Sequence, residues 1–212
     1  MLKVNEIFYS IQGESSLAGR PCTFIRLAGC NLRCKYCDTD YAYGNGILMS
    51  KDQVLRTVAK YDCPLVLITG GEPLMQEESF PLMDALLEHE YQVMLETNGS
   101  LAVQNVPEGV LLVMDIKCPG SGEMDKNLYT NIDYLGPADN CKFVITDRRD
   151  YEWASDVLFD YGINELCEVL MSPCHGMIEP RELAEWILKD HMPVRLQLQL
   201  HKMVWGPDVE GR

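Results

Sequence analysis

The 212-residue sequence lacks long uncharged apolar runs. None of its runs approaches the ~18 residues of a membrane-spanning helix, and the opening segment from Met1 to Glu6 has no apolar stretch of the kind that a secretory signal needs. Basic residues are also scarce, since 18 Lys and Arg stand against 32 Asp and Glu, a net charge of −14. Phosphate backbones are bound by clustered cations. We therefore expect a cytoplasmic chain that binds neither membranes nor nucleic acid.

Internal repeats, low-complexity tracts and Pro/Ser-rich linkers are also missing from the sequence. This predicts a single domain over residues 1–212. The chain is short for a closed eight-stranded α/β barrel, which typically needs about 250 residues.

Nine cysteines is an odd number, so a fully paired disulfide framework cannot use all of them. In a reducing compartment, free thiols usually indicate burial, metal binding or catalysis. The sulfur is concentrated at one end, because residues 1–40 hold four cysteines and a net charge of +1, whereas the remainder carries −15. Four cysteines stand in no motif and are expected to be small buried hydrophobes: Cys63, Cys118, Cys141 and Cys167.

Apolar strands alternate with helical patterns along the chain. Strands are predicted over residues 22–28, 64–69, 92–97, 109–115, 142–146, 168–172 and 194–200. Helices are predicted after a capping box at Ser50 and Gln53, and around residues 80–87, 153–161 and 183–187. This alternation favours an α/β fold, a partial (incomplete) TIM-like barrel of parallel strands with covering helices. Ligands are then expected at the carboxyl ends of the strands.

Three cysteines in a short segment, Cys30, Cys34 and Cys37, are the strongest chemical signal. Structural zinc sites and electron-transfer iron–sulfur clusters both use four protein ligands. Three thiolates on a four-iron cluster leave one iron open for chemistry. Two other interpretations remain at this point: a zinc site completed by Cys22 or a distant His, and inert buried thiols.

This spacing, with an aromatic residue before the last cysteine, resembles the radical S-adenosylmethionine superfamily. The segment Thr69 to Pro73 resembles its glycine-rich segment, in which backbone amides approach the methionine end of the cofactor. The resemblance implies a 4Fe-4S cluster and S-adenosylmethionine as cofactors. It also implies an external one-electron reductant, flavodoxin-like or ferredoxin-like.

A narrower resemblance covers essentially the whole chain. The segments Glu6 to Glu14, Phe24 to Cys30, Cys37 to Asp40, Gln199 to Lys202 and Trp205 to Pro207 are similar to the 7-carboxy-7-deazaguanine synthase family. The likeness implies a homodimeric carbon–nitrogen lyase of queuosine biosynthesis. It would convert 6-carboxy-5,6,7,8-tetrahydropterin to 7-carboxy-7-deazaguanine with loss of ammonia, and it would also bind Mg²⁺.

The resemblance also implies roles for individual residues. The cluster ligands would be Cys30, Cys34 and Cys37, and Thr39 would contribute an oxygen to Mg²⁺. The substrate would contact Ile11, Gln12, Gly13, Arg26, Thr69 and Pro207. S-adenosylmethionine would contact Tyr36, Cys37, Asp38, Gly71, Asp115, Ile116, Lys117, Ser172, Pro173, Cys174 and His175. Glu14 and His201 are candidates for proton transfer.

The sequence departs from the family pattern in several places. Ser15 replaces a usual glycine, and the tail from Asp208 to Arg212 continues past Pro207. The segments 115–116 and 172–175 differ from the family forms, so backbone groups are an alternative for those cofactor contacts.

Two functions from other classes are the alternatives. An activating enzyme would generate a glycyl radical on a protein partner, although such enzymes lack the segment from Glu6 to Glu14. A zinc-bearing or electron-carrying binding module would not be an enzyme at all.

Overall fold

The computed structural model describes residues 1–206, 209 and 211. In this part of the chain one sheet contains nine strands. They are β1 (Leu2–Ile11), β2 (Pro21–Leu27), β3 (Ile47–Met49), β4 (Leu65–Gly70), β5 (Gln92–Thr97), β6 (Leu111–Asp115), β7 (Asn140–Ile145), β8 (Glu168–Pro173) and β9 (Arg195–Leu196). Their order across the sheet is β3-β1-β2-β4-β5-β6-β7-β8-β9. β1 is antiparallel to β2 and β3, and all other neighbours are parallel.

Helices connect most of the parallel strands. They are α1 (Lys51–Val58), α2 (Ser79–Glu88), α3 (Arg148–Asp160), α4 (Ile163–Leu166), α5 (Pro180–Lys189) and α6 (Leu200–Trp205). The predicted capping box starts α1: Ser50 Oγ accepts from the Gln53 N–H at 3.2 Å, and Gln53 Oε1 accepts from the Ser50 N–H at 2.7 Å. Within the described residues, no helix is both long and apolar enough to cross a membrane.

The sheet is open, with β3 at one edge and β9 at the other. This confirms the predicted partial barrel of parallel strands with covering helices. The antiparallel strand β1 was not predicted, because its short runs of alternating apolar and polar residues carry a weak pattern. Tertiary contacts hold it against β2, where the rings of Phe8 and Phe24 stack with centroids 4.7 Å apart.

The predicted strand over residues 194–200 is wrong beyond Leu196. β9 contains two residues, and Leu200 begins α6 instead. The alternation of Leu and Gln in this segment is typical of a strand with its glutamines in water. However, Gln197 is 5% exposed, and its backbone accepts from Ser172 Oγ at 2.9 Å. The chain therefore leaves the sheet after Leu196, with Gln197 buried rather than in water.

Alternation along the parallel strands separates two faces of the sheet. One face packs against the helices in the main hydrophobic core, which contains Ile25, Leu27, Ile68 and Leu95. The other face carries a smaller apolar cluster, built from Cys22, Phe24, Cys63, Leu65, Leu67, Met94 and Val113. The cysteines expected to be buried hydrophobes, Cys63, Cys118, Cys141 and Cys167, are all buried, which confirms that prediction.

Polar side chains follow this smaller cluster on the same face, nearer the carboxyl ends of the strands. They are Arg26, Thr69, Glu96, Asp115 and Lys142, one each from β2, β4, β5, β6 and β7. The strand registers place Arg26 beside Thr69 and Asp115 beside Lys142. Because side chains alternate between the two faces of a sheet, these five residues, which are far apart in the sequence, form one polar surface. We call this surface the polar floor.

Candidate active site

A cavity of about 780 Å³ opens above this polar floor. Its walls come from the strand ends, the loop that follows β2, the end of β1 and the region of α6. Four segments singled out in the sequence meet here, namely 11–14, 30–39, 69–71 and 199–202. The carboxyl-terminal edge of the sheet is therefore the candidate site, as the strand pattern predicts.

The three motif cysteines all line this cavity. Their loop is short and locally closed, since Cys37 N–H donates to Cys34 O at 3.2 Å and Lys35 N–H donates to Ser121 O at 3.0 Å. All three thiols are partly exposed, in contrast to the six other cysteines. Burial is the main factor that raises the pKa of Cys34 to about 11, so the metal-free thiol is protonated at neutral pH.

The glycine-rich segment packs directly against the cysteine loop. Glu72 N–H donates to Gly29 O at 2.8 Å, and Gly71 N–H donates to Leu27 O at 3.1 Å. A Cβ on Gly71 would collide with the Gly29 carbonyl and with Cys30. Only glycine allows the two backbones to approach this closely.

The other end of the cavity is formed by the ends of the described chain. The ring of His201 lies against Gly13, and Leu200 N–H donates to Gly13 O at 3.0 Å. Arg26, the residue that β2 contributes to the polar floor, donates from its Nε to Glu6 Oε1 at 2.7 Å. Of the tail, Val209 and Gly211 also line the cavity. Pro207 lies outside the described residues.

Alternating charges line the wall between these two ends. Lys142 Nζ lies 2.7 Å from Glu14 Oε2 and 3.5 Å from Asp115 Oδ2, which is also 3.0 Å from Lys117 Nζ. Burial alone would lower the pKa of Lys142, but the surrounding carboxylates, Glu14 first, raise it well above its usual value. Burial alone would raise the pKa of Glu14, and the Lys142 ammonium reverses this and lowers it. Both groups are therefore ionised at neutral pH.

The segment after the last motif cysteine contributes a carboxylate and a hydroxyl. Thr39 Oγ1 donates to Asp38 Oδ1 at 3.1 Å, and Lys202 forms an ion pair with Asp38. Burial alone would raise the pKa of Asp38, whereas Lys202 lowers it to about 2. An ionised carboxylate and a neutral hydroxyl thus lie side by side in the wall of the cavity.

Unpartnered polar atoms in the same wall indicate where a ligand fits. Among the residues that the structure describes, Tyr36 Oη and Asp115 Oδ1 are buried without a hydrogen-bond partner. Both residues line the cavity. Because an unpaired buried polar group costs about 1–3 kcal/mol, a bound molecule with a donor at Asp115 would stabilise the site.

The structure brings most of the sequence-predicted residues to this cavity. The lining includes Ile11, Gln12, Gly13, Glu14, Arg26, Tyr36, Asp38, Thr39, Thr69, Gly71, Asp115, Lys117, Cys174, His175 and His201 besides the three motif cysteines. Ile116, Ser172 and Pro173 are not part of the wall. Ile116 faces the main core, as alternation requires after Asp115, and Ser172 is covered by Gln197. Contacts from those positions would have to be made by backbone groups.

Several functional candidates escaped the sequence analysis. Lys142 and Glu96 stand in apolar strands, where an ionisable residue is itself a signal of a site. Gln199 is another, since its Nε2 donates to Glu14 Oε1 at 2.7 Å. These positions lie outside the cysteine and glycine motifs, although Lys142, Glu96 and Gln199 all line the cavity.

The arrangement of the cysteines has a further chemical consequence. Within the described chain, no three His, Cys, Asp or Glu side chains are grouped around a position for a metal ion. Cys30, Cys34 and Cys37 nevertheless all line the same cavity.

Comparison with known proteins gives consistent results. The family model for the radical SAM superfamily matches residues 24–114. A 7-carboxy-7-deazaguanine synthase from Chlorobaculum tepidum is 46% identical over 213 residues, covering 99% of this chain and 97% of the relative. A protein of the same name from Koribacter versatilis is 43% identical over 226 residues, covering 99% and 100%.

A solved structure agrees with the fold. The crystal structure of QueE from Escherichia coli has a TM-score of 0.78 and covers 93% of each chain. The sequence identity is 22%, so this likeness concerns the fold alone.

Proposed function

This chain belongs to the 7-carboxy-7-deazaguanine synthase family of radical S-adenosylmethionine enzymes, and we propose that it converts 6-carboxy-5,6,7,8-tetrahydropterin to 7-carboxy-7-deazaguanine and ammonia. The observation that carries the proposal is the single cavity that joins the cysteine loop to the segment 11–14. Substrate and cofactor can therefore meet within one cavity.

The residues present fit the cofactors of this enzyme class. Cys30, Cys34 and Cys37 would hold a 4Fe-4S cluster, and their partial exposure at the cavity fits a cluster with one iron accessible to a ligand. When bound, cluster and S-adenosylmethionine supply the one-electron chemistry that starts the reaction by removing a hydrogen atom. The chain's own part is to bind, orient and shield the reactants.

Binding of S-adenosylmethionine is assigned to the wall between the cluster loop and β6. Gly71 allows backbone approach to the methionine end, and the free Oδ1 of Asp115 suits a ribose hydroxyl. Lys117 holds the other oxygen of Asp115 at 3.0 Å and so fixes its orientation. Tyr36, Asp38, Cys174 and His175 complete this part of the wall.

Binding of the pterin is assigned to the opposite end. Arg26 is suited to a substrate carboxylate, because a guanidinium presents paired donors. Gln12, Gly13 and Thr69 would contact the ring system, and Thr69 is already oriented by Glu96 at 2.9 Å. Pro207 remains a proposed contact from the part of the chain that the structure leaves undescribed.

Magnesium is proposed at Thr39. Mg²⁺ prefers oxygen ligands and retains several waters. Thr39 Oγ1 lines the cavity beside Asp38, and its lone pairs remain available for a cation. The ion would be held jointly by Thr39, water and the substrate carboxylate.

Proton transfer is proposed for Glu14 and His201. Burial is the main factor that lowers the pKa of His201, so its neutral ring can accept a proton at one nitrogen. Both oxygens of Glu14 already have partners in Lys142 and Gln199. Glu14 is therefore proposed chiefly as a fixed acceptor for substrate N–H groups. His201 is proposed as the group that takes up and returns the proton.

The remaining expectations complete the proposal. An external flavodoxin-like or ferredoxin-like protein would supply the electron, and the chain would act in the cytoplasm as a homodimer. The net charge of −14 supports a small-molecule substrate rather than a tRNA.

The test is an anaerobic assay of the reconstituted protein with dithionite, S-adenosylmethionine, Mg²⁺ and 6-carboxytetrahydropterin, with the product identified by mass. We expect 7-carboxy-7-deazaguanine and ammonia, and no product from the Cys34→Ala variant, which lacks one cluster thiol. Arg26→Lys, which retains charge but not the fork of donors, should raise KM more than it lowers kcat. An intact cluster that yields no product would contradict the assignment. Cofactor cleavage that depends on a protein partner would instead favour an activating enzyme.

A further inference from the structure

Asn98, the residue that follows β5, reaches the first motif cysteine. Its Nδ2 lies 3.7 Å from Cys30 Sγ, within the range for a hydrogen bond to sulfur. A second donor, Leu32 N–H, lies 3.5 Å from the same sulfur. Asn98 itself is 8% exposed. Two N–H groups therefore point at one thiol that is proposed to bind the cluster.

The orientation of the Asn98 amide follows from its other partners. Its Oδ1 accepts from Ser100 N–H at 3.0 Å and from Ser100 Oγ at 2.6 Å. Its Nδ2 also donates to Asn31 Oδ1 at 3.1 Å. A backbone N–H can only donate, so a flipped amide would face donor to donor at Ser100. The NH₂ group must therefore face Cys30.

A buried carboxylate fixes the backbone of Asn98. Glu72 is fully buried, and its Oε2 accepts from Asn98 N–H at 2.7 Å. Its Oε1 accepts from Leu74 N–H at 3.0 Å and from Thr97 Oγ1 at 2.9 Å. Glu72 thus ties the glycine-rich segment to the end of β5, which leaves Asn98 little freedom to turn away.

The chemistry of such a contact is directional. Hydrogen bonds to a cysteine sulfur stabilise the more negative, reduced state of an iron–sulfur cluster and raise its reduction potential. Two carboxylates at the same edge of the sheet, Glu72 and Glu96, act in the opposite direction when ionised. Hydrogen-bond donors at Cys30 would offset the negative potential of these carboxylates at the cluster, which has to accept an electron.

We propose that Asn98 is a positioning residue that raises the reduction potential of the cluster through its hydrogen bond to Cys30. The inference rests on the proposed function only for the presence of a cluster on these three thiols. The redox step is the transfer of one electron from dithionite to the oxidised cluster, with no bond formed or broken.

The experiment compares two buried asparagines from neighbouring segments. Asn131 is 1% exposed and donates to Gly99 O at 3.2 Å and Leu101 O at 2.8 Å, so it supports the same loop without touching sulfur. Asn98→Leu and Asn131→Leu are purified and reconstituted anaerobically, and iron and labile sulfide are counted. The midpoint potential is then read by electron paramagnetic resonance during a dithionite titration, without pterin.

We expect a more negative midpoint in Asn98→Leu at wild-type iron content, and an unchanged midpoint in Asn131→Leu despite its lower stability. Ser100→Ala keeps the amide but removes the hydroxyl donor to its oxygen, and should shift the midpoint less in the same direction. It also keeps the test decisive if Asn98→Leu does not assemble a cluster. An unshifted midpoint in Ser100→Ala would then overturn the inference, as would equal shifts in the two Leu variants.

Failure of the proposed function would look different. A shifted midpoint in a protein that forms no 7-carboxy-7-deazaguanine would overturn the assigned reaction and leave the role of Asn98 intact. Zinc without labile sulfide in the wild type would overturn both.

Discussion

The ring of His201 occupies the volume into which a side chain on Gly13 would project. The neighbouring contacts, Leu200 N–H to Gly13 O and Gln199 Nε2 to Glu14 Oε1, hold the two segments together. Gly13 therefore serves to admit His201 rather than to supply flexibility. The proposed pterin contacts at the two ends of the chain form a single unit.

Gly13→Ala should accordingly damage pterin binding selectively. The new methyl group would displace the ring of His201, while the motif cysteines keep the contacts of their own loop. We expect at least about a tenfold weaker Kd for the pterin, or about 1.4 kcal/mol, with unchanged iron content and a smaller loss of S-adenosylmethionine affinity, because Lys202 of α6 pairs with Asp38. Calorimetry under anaerobic conditions measures both affinities. Equal losses of both affinities would contradict a selective role of Gly13 at the pterin end.

Gly71→Ala should instead affect the cysteine end of the cavity. Its methyl group would push against the Gly29 carbonyl and against Cys30. We expect overpacking to reduce the free energy of unfolding by about 1–3 kcal/mol and to lower iron incorporation. The measurements are denaturant unfolding of the metal-free protein and iron counting after reconstitution. Gly44→Ala is the matched control, since nothing lies within 4 Å of a Cβ there and its backbone, like that of Gly71, is not left-handed. Full iron content in Gly71→Ala would contradict the close-approach argument.

Lys142→Met should destabilise the fold, because it leaves Glu14 buried without its cation. The side chains of Lys142 and Glu14 are 11% and 10% exposed, so the expected cost is about 3–5 kcal/mol. The double variant Lys142→Met/Glu14→Gln should recover much of this loss, since no unpaired charge remains. Urea unfolding of the wild type, Lys142→Met, Glu14→Gln and the double variant gives the coupling directly. If the losses of unfolding free energy in the two single variants simply add, Glu14 is not the main partner of Lys142. The charge of Lys142 is then compensated by Asp115 and Glu96.

The pH dependence of stability should carry a contribution from His201. Burial lowers its pKa below the unfolded value of 6.5, so the unfolded state binds the proton more readily. This contribution is fully present above pH 6.5 and is lost as the pH falls toward the lowered value in the folded state. We expect His201→Gln to flatten the wild-type decline between pH 7 and 5. Parallel curves for the two proteins would contradict a depressed pKa.

The strands that sequence patterns predicted best are those whose environment is uniform. Residues 92–97 were predicted as a strand and form β5 with the same bounds, because both faces of this apolar run are buried. The strand prediction failed where polar side chains face inward. Gln197 and Gln199 have the spacing of a solvated strand face, yet Gln197 is buried and Gln199 donates to Glu14 in the cavity wall.

The candidate site divides in the same way. The cysteine and glycine segments are local motifs, and the structure brings them together at the cavity as expected. The role of Lys142 depends on strand register, since its partners Glu14 and Asp115 are distant in sequence. Register follows from the three-dimensional packing of the sheet. Asn98 likewise acquires its meaning only from the position of Cys30.

The hydrogen bond between Gln199 and Glu14 spans 185 residues of sequence. Closing so long a loop is entropically costly until the intervening sheet has formed. On a ribosome, the cysteine loop and its glycine-rich neighbour emerge early, whereas the pterin end waits for the last segment of the described chain. The capacity to hold a cluster should therefore arise during synthesis before the capacity to recognise a substrate, so that a nascent chain can acquire iron while it is still unable to bind the pterin.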